Sequence, residues 1–444
     1  MAEIGIAGAR PAVAPAGEFA GIGSKPYRAY VLAMLFVIYA VNLLDRSISG
    51  LLQDPIKHEF GLSDFELGLL GGPTFALFYA LLGVPIARVA ERWNRVSIIA
   101  IATATWSAMT VLCGLAVSYP MLLLARMGVG VGEAGSTPPS QSVISDYFPA
   151  NKRAAAIAIY LVSIPMGVVF ASAIGGPIAD HYGWRMAFIA LGAPGVLVAL
   201  LFKLTVREPP RSGGPAEKAP SFGAALKEVS NKGSFWHIAF AAGLANFVGV
   251  GNGQYAASFL LRVHHLSLSW VGIIIGPVMN GVSAITVYFV GALINRLMER
   301  DKAWLARWPG IGLLCSAPLS VAAYLAPTWQ LWLPLAMLAA LCANAYLISV
   351  YTTAQCIVSP RIRATSAALV LLCLAVLGYG FGPPAIGALS DFMQAQVVGL
   401  GLADNAHKEG EGLRWALVLG ATVYAWSGVH FLIGSTKLKK DWVG

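Results

Sequence analysis

Residues 308–360 read WPGIGLLCSAPLSVAAYLAPTWQLWLPLAMLAALCANAYLISVYTTAQCIVSP, without one Asp, Glu, Lys or Arg. About 20 apolar residues cross the hydrocarbon core of a bilayer, so this stretch is long enough to cross twice. Three further uncharged runs, 96–125, 154–179 and 364–390, each exceed one crossing. Over the whole chain of 444 residues, 57% are apolar and 11% charged. A soluble domain carries about 25% charged residues. There is too little polar surface here to cover two or three soluble cores, and the chain reads as a polytopic helical membrane protein.

Other classes fall with that reading. The formal charge of +9 is spread over short loops rather than gathered in a stripe, so no nucleic-acid partner is expected. Cys113, Cys315, Cys342, Cys356 and Cys373 lie in apolar runs with no paired or metal-ligand spacing. His264 and His265 are adjacent and share no ligand face, so no metal is expected. The glycines at 128, 130 and 132 follow no strand, and no phosphate-binding lysine loop exists to bind a nucleotide, so no cofactor is expected.

Charge and turn signals divide the apolar sequence into twelve candidate helices: 28–51, 66–87, 96–117, 120–143, 154–179, 185–206, 235–261, 270–295, 305–326, 329–357, 364–389 and 413–435. The organisation expected is a disordered cytoplasmic tail over 1–26, a six-helix bundle over 27–206, a cytoplasmic linker over 207–232, a second six-helix bundle over 233–436, and a tail over 437–444. With both termini cytoplasmic, 23 of the 30 Lys and Arg residues fall on the cytoplasmic side and five on the other, as the positive-inside rule requires. A bacterial-type inner membrane and a monomer are expected. The stretch from Asp54 to Glu66 reads as a short amphipathic connector, and that from Asp391 to Arg414 as a mobile external loop.

An internal repeat supports two equivalent halves. Pro149 and Arg153 precede an apolar run ending in Gly176 and Asp180; Pro360 and Arg363 precede one ending in Gly387 and Asp391. Two six-helix halves in the same orientation are related by an axis along the membrane normal, with a substrate site at mid-depth between them. At that depth stand Asp45 and Arg46 in the first helix and Arg126 and Glu133 in the fourth. Each costs about 2.5–3.5 kcal/mol at a helix centre unless it is paired or hydrated, which marks it as functional by default. Asn42, Asp45 and Ser49 share one helical face, with Arg46 about 100° around on its flank. Arg126, Gly130, Glu133, Thr137 and Ser140 form a facing stripe, so the simplest pairing sets Asp45 or Glu133 against Arg126. Burial disfavours a charged carboxylate and a nearby arginine restores it. A site that changes arginine distance and hydration as access alternates can therefore load and release a proton on Asp45 or Glu133. A permanent ion pair fixing helix one to helix four is the competing reading. Asn246, Asn252, Gln254 and Tyr255, among the glycines of the seventh segment, are candidate cavity-lining residues on a broken helix. Pro383 and Pro384 should end or bend the eleventh.

Three segments carry a family resemblance: Asn42-Leu43-Leu44-Asp45-Arg46, Glu91-Arg92-Trp93-Asn94-Arg95, and Arg126-Met127-Gly128-Val129-Gly130-Val131-Gly132-Glu133-Ala134. Together with Gly183-Trp184-Arg185-Met186-Ala187-Phe188 they resemble the spinster branch of the major facilitator superfamily. The loop departs from the family pattern by carrying Ala87 and Glu91 where Gly and Asp are usual, and Val96 at its last basic position. The resemblance implies an alternating-access secondary transporter and not an enzyme. It implies an amphiphilic lysolipid or sphingolipid-phosphate-like substrate, with protons as the coupling ion and membrane lipids as surroundings. It also implies that Glu91, Arg92 and Arg95 form a cytoplasmic gate. A transporter of small organic anions or drug-like amphiphiles is the alternative, and a passive lipid scramblase a more distant one.

Overall fold

The computed structural model describes residues 23–443 except 91, 211–221, 282–289, 291–292, 295, 345 and 360–361. The expected tail over 1–26 therefore lies almost wholly outside the described residues, as do Glu91 and much of the linker. Every regular element described is helical. Seven helices are long and apolar enough to cross a membrane: Lys25–Phe60, Asp64–Ala90, Arg95–Gly114, Asn151–Thr205, Gly233–Gln254, Thr365–Gly399 and Lys408–Asp441. The fourth of these runs for 55 residues, roughly 80 Å at 1.5 Å per residue, which is two passes. Its turn is at Gly183, whose φ of 83° a side chain would resist.

The first half is built on α1 (Lys25–Phe60), α2 (Asp64–Gly71), α3 (Pro73–Ala90), α4 (Arg95–Gly114), α5 (Tyr119–Glu133), α6 (Thr137–Tyr147) and α7 (Ala150–Thr205). Helix α1 starts where Ser24 accepts the Tyr27 N–H and stops at Gly61 in the left-handed conformation. It is longer than the expected span. The expected connector from Asp54 onward is, up to Phe60, the last part of this helix, because the helix continues through Pro55 and the apolar stripe Leu51, Leu52, Ile56 stays buried. A capping box between Ser63 and Glu66 then starts α2. The expected fourth helix is two helices. Pro138 and Pro139 cannot donate to the preceding turn, so α5 stops at Glu133 and α6 begins at Thr137.

After the short α8 (Phe222–Ser230) within the linker, the second half comprises α9 (Gly233–Gln254), α10 (Ala256–His264), α11 (Leu268–Ile273), α12 (Trp304–Tyr324), α13 (Trp329–Ala343), α14 (Tyr346–Cys356), α15 (Arg363–Cys373), α16 (Gly382–Gly399) and α17 (Lys408–Asp441). A π-helical stretch over Ile274–Asn280 continues α11, and another over Leu374–Phe381 joins α15 to α16. The second absorbs Pro383 and Pro384, so the chain runs on as helix through Gly399 instead of ending. What reads as a long external loop from Asp391 is thereby reduced to the turn between α16 and α17.

The halves meet through two equivalent pairs, α2 on α16 and α7 on α11. The internal repeat explains both. Asp180 accepts the Leu268 N–H (3.1 Å) and the Ser269 N–H (2.8 Å). Asp391 accepts the Asp64 N–H (2.9 Å) and the Phe65 N–H (2.8 Å). In each case a carboxylate from one half caps a helix N-terminus of the other, where free N–H groups and the helix dipole favour an anion. One turn earlier in each repeat a glycine permits the approach. A Cβ on Gly176 would lie 2.5 Å from the Leu268 carbonyl oxygen, and one on Gly387 2.3 Å from that of Asp64. Gly176→Ala and Gly387→Ala should each wedge this seam at a cost of about 1–3 kcal/mol. The expected result is that maleimide labels a cysteine placed at the buried, inter-half position Ser258 about tenfold faster in either variant. An unchanged labelling rate would refute the wedge.

Candidate substrate and ion-coupling site

Asp45, Asn42 and Ser49 are buried on one face of α1, and Arg126 and Glu133 on α5 turn toward them. The pairing differs from the simplest expectation. Arg46 Nη2 donates to Glu133 Oε2 at 2.6 Å, while Arg126 Nη1 donates to the backbone carbonyl of Asp45 at 3.1 Å. The reason lies in α3. A Cβ at Gly130 would sit 2.8 Å from the Phe75 carbonyl oxygen, so the glycine lets α5 close on α3. That contact puts the Phe75 and Tyr79 rings 4.5 and 5.3 Å from the Arg46 guanidinium carbon, a cation–π shelf that holds Arg46 against Glu133.

The Asp45 carboxylate is left in an unusual position. It is fully buried, and neither oxygen has a hydrogen-bond partner among the described residues. Asn42 Oδ1, Glu133 Oε1, Arg46 Nε, Arg126 Nε and the Ser136 and Ser140 hydroxyls are also unpartnered. Buried polar groups are nearly always paired, and this cluster of orphans gathers at mid-helix where the sequence places the candidate site. The helix break between Glu133 and Thr137 sits beside it, and irregular backbone at depth is tolerated where it lines a cavity.

Away from the termini a second set of charges closes the two halves on each other. Arg262 of α10 binds Asp54 of α1 at 2.6 Å and Asp64 of α2 at 2.9 Å. Lys57 reaches Asp64 (2.9 Å) and Glu409 (3.3 Å). Ser390 Oγ donates to Asp64 at 2.6 Å, the Tyr255 hydroxyl to the Asp64 carbonyl at 2.5 Å, and Gln254 Nε2 to Gln53 Oε1 at 3.0 Å. Asp54, Lys57, Asp64 and Tyr255 are buried, so this is a dry lock rather than surface pairing.

The sequence profile of the Major Facilitator Superfamily matches residues 35–383. The chain belongs to the major facilitator superfamily. Within it, the chain is 30% identical to an MFS-type efflux pump of Mycolicibacterium smegmatis over 94% of its own length and 95% of the pump's. It is 26% identical to protein spinster homolog 1 of Mus musculus over 92% of this chain and 81% of that protein. Its fold matches the crystal structure of a bacterial homologue of the human lysosomal transporter spinster, in an inward-facing and unoccupied conformation. The TM-score is 0.86 at 37% identity, covering 95% of this chain and 100% of that one. The chain is thus a spinster-like major facilitator transporter, a multi-pass membrane protein and not an enzyme.

Other expected site residues fall as follows. Arg95 is buried and binds Asp146 (2.5 Å), Glu208 (2.7 Å), Ser142 (2.7 Å) and the Pro209 carbonyl (2.9 Å), tying α4 to α6 and to the segment after α7. Arg92 is exposed, and Glu91 lies outside the described residues. The seventh segment is broken at Tyr255, between α9 and α10. Asn246 donates to the Leu374 carbonyl (2.8 Å) and accepts from the Tyr346 hydroxyl (3.2 Å), while Asn252 donates to the Leu417 carbonyl (2.9 Å). Both amides therefore tie helices within the second half, whereas Gln254 and Tyr255 cross to the first. Arg262, Asp54, Lys57 and Asp64 were not among the expected site residues. The available signal was the repeat itself, since Asp391 needed a helix N-terminus to cap and Asp64 begins one.

Proposed function

We propose that this spinster-like transporter works by alternating access, couples to protons through Asp45, and moves an amphiphile with an anionic or zwitterionic headgroup, of the lysophospholipid kind. The observation that carries this reading is the Asp45 carboxylate, fully buried and without an ion pair beside Arg126 and Glu133, with the Thr110 hydroxyl facing it. An isolated carboxylate in a low-dielectric site is costly, and protonation removes the cost. Opening the site brings water and allows release. Glu133 has one oxygen held in an ion pair with Arg46 whereas Asp45 has no ion pair, which makes Glu133 the positioning partner and leaves Asp45 as the proton carrier. Arg126 uses one N–H on a backbone carbonyl, so the rest of its planar fork is available to a phosphate or carboxylate headgroup.

Charge bias supports cytoplasmic termini in a bacterial plasma membrane. In that orientation the Asp54–Asp64–Arg262 lock is external, and the site is closed to the outside. Full-length similarity to an efflux pump favours a second reading, in which the cargo is a drug-like amphiphile or small organic anion. Proteoliposomes loaded with labelled lysophospholipid separate the readings. Saturable transport driven by an imposed pH gradient, with accumulation reduced about tenfold or more in Asp45→Asn, is the expected result. Saturable transport indifferent to pH and to Asp45 would remove the proton role. Non-saturable movement would point to a scramblase, and no movement would transfer the search to organic anions.

A further inference from the structure

Where α9 and α17 pack side by side near the chain's end, three basic side chains stand in a row. Lys437 Nζ lies 3.0 Å from His237 Nε2, and His237 Nδ1 lies 3.2 Å from His430 Nδ1. An ammonium can only donate, so His237 Nε2 is the acceptor and its proton sits on Nδ1. That N–H donates to His430 Nδ1, which places the His430 proton on Nε2. The row therefore carries a positive charge at one end and a free N–H donor at the other, and two further ammonium N–H groups of Lys437 remain. Among the described residues no carboxylate comes within ion-pair distance of Lys437. The neighbouring charges are occupied: Lys439 binds Asp301 at 3.1 Å, and Asp441 accepts the Ser234 N–H and hydroxyl, both at 2.7 Å.

The setting is that of a lipid surface. Leu419, Trp426, Val429 and Ile433 are exposed on α17 at spacings of seven, three and four, one continuous apolar stripe that ends at Lys437. The Phe240 and Trp426 rings flank His430 at 5.0 and 6.1 Å, and Trp236 is exposed beside His237. Trp236 is the amphipathic aromatic of the kind that settles at headgroup level. Gly233 keeps the place open, because a Cβ there would sit 3.1 Å from Lys437 Cδ, where the lysine stem lies.

We infer that the His237–His430–Lys437 row is a binding site for the phosphate of an anionic phospholipid. The acyl chains lie along the α17 stripe, and the phosphate oxygens accept from the two remaining N–H groups of the Lys437 ammonium, which His237, itself held by His430, positions. Basic groups between helices at the membrane surface recognise anionic headgroups in this way. The site is separate from Asp45 and does not depend on what the protein transports.

Native mass spectrometry of the full chain in detergent, with phosphatidylglycerol or phosphatidylcholine added, tests it. The wild type should hold phosphatidylglycerol about fivefold more tightly than phosphatidylcholine at this site. Lys437→Gln and His237→Asn should lose that preference, whereas Lys437→Arg and the neutralised neighbour Lys439→Gln should keep it, each variant eluting as folded protein on size exclusion. A wild type without preference, or a Lys437→Gln protein that retains it, overturns the site. Displacement of the lipid by millimolar inorganic phosphate overturns the lipid as occupant and leaves a free-anion site.

Discussion

Arg262→Gln should open the end of the molecule remote from the termini. The guanidinium is the bridge between the halves there, binding Asp54 from α1 and Asp64 from α2 at once. Asp64 keeps Lys57 and Ser390 when Arg262 is lost, but Asp54 has its ion pair with Arg262 alone among the described residues. Breaking a buried pair by removing one partner costs about 3–5 kcal/mol, because the remaining charge is buried and uncompensated. Only the closed arrangement bears that cost, since opening the seam hydrates Asp54. A change of this size moves a two-state population by a factor of about 10² to 5 × 10³. Spin labels at the exposed positions Tyr182 and Leu402, one in each half, in a background without the five native cysteines, report the distance directly. A longer distance in Arg262→Gln is expected, and a return to the closed distance when Asp54→Asn is added. An Arg262→Gln protein with the wild-type distance would show that the lock does not set the equilibrium.

Asp45→Asn and Glu133→Gln should shift thermal stability in opposite directions, although both remove a buried carboxylate of the same cluster. Asp45 has no ion pair to lose, and the amide is neutral without having to take up a proton at neutral pH, which removes the cost of burying this carboxyl in either form. A gain of about 1–3 kcal/mol in the closed state is expected. Glu133 accepts the 2.6 Å bond from Arg46, and its replacement leaves a guanidinium whose side chain is only 25% exposed without a carboxylate. A loss of about 3 kcal/mol follows. Thermal unfolding of the two variants in the same detergent at neutral pH distinguishes them. Matching signs would mean that the two carboxylates share one role, and the division into proton carrier and positioning partner would fall.

The chain's membrane class, its two-half organisation and the four charges at depth were legible because each depends on local composition or on spacing along one helix. Absence of charge over 308–360 excludes a soluble core wherever the segment packs, and Asp45 lies at mid-helix whatever its neighbours. The paired Gly-x-x-x-Asp endings at 176–180 and 387–391 marked the repeat, though not the contact each one makes.

What a helix faces is a different kind of quantity. Helical spacing shows that Arg46 lies about 100° from Asp45, but the rotation of α1 against α5 is set by packing between them. The closeness of Gly130 to Phe75 turned Glu133 to Arg46 and left Asp45 alone. The lock was hidden for a related reason. Asp54, Lys57 and Asp64 sit in a stretch whose polarity resembles a surface loop, and their burial requires Arg262, some 200 residues away, to satisfy them. Sequence alone thus determined which residues are too costly to leave unpaired in a membrane. Only the tertiary structure decided how they are paired, because pairing energies depend on distances between helices that no single segment encodes.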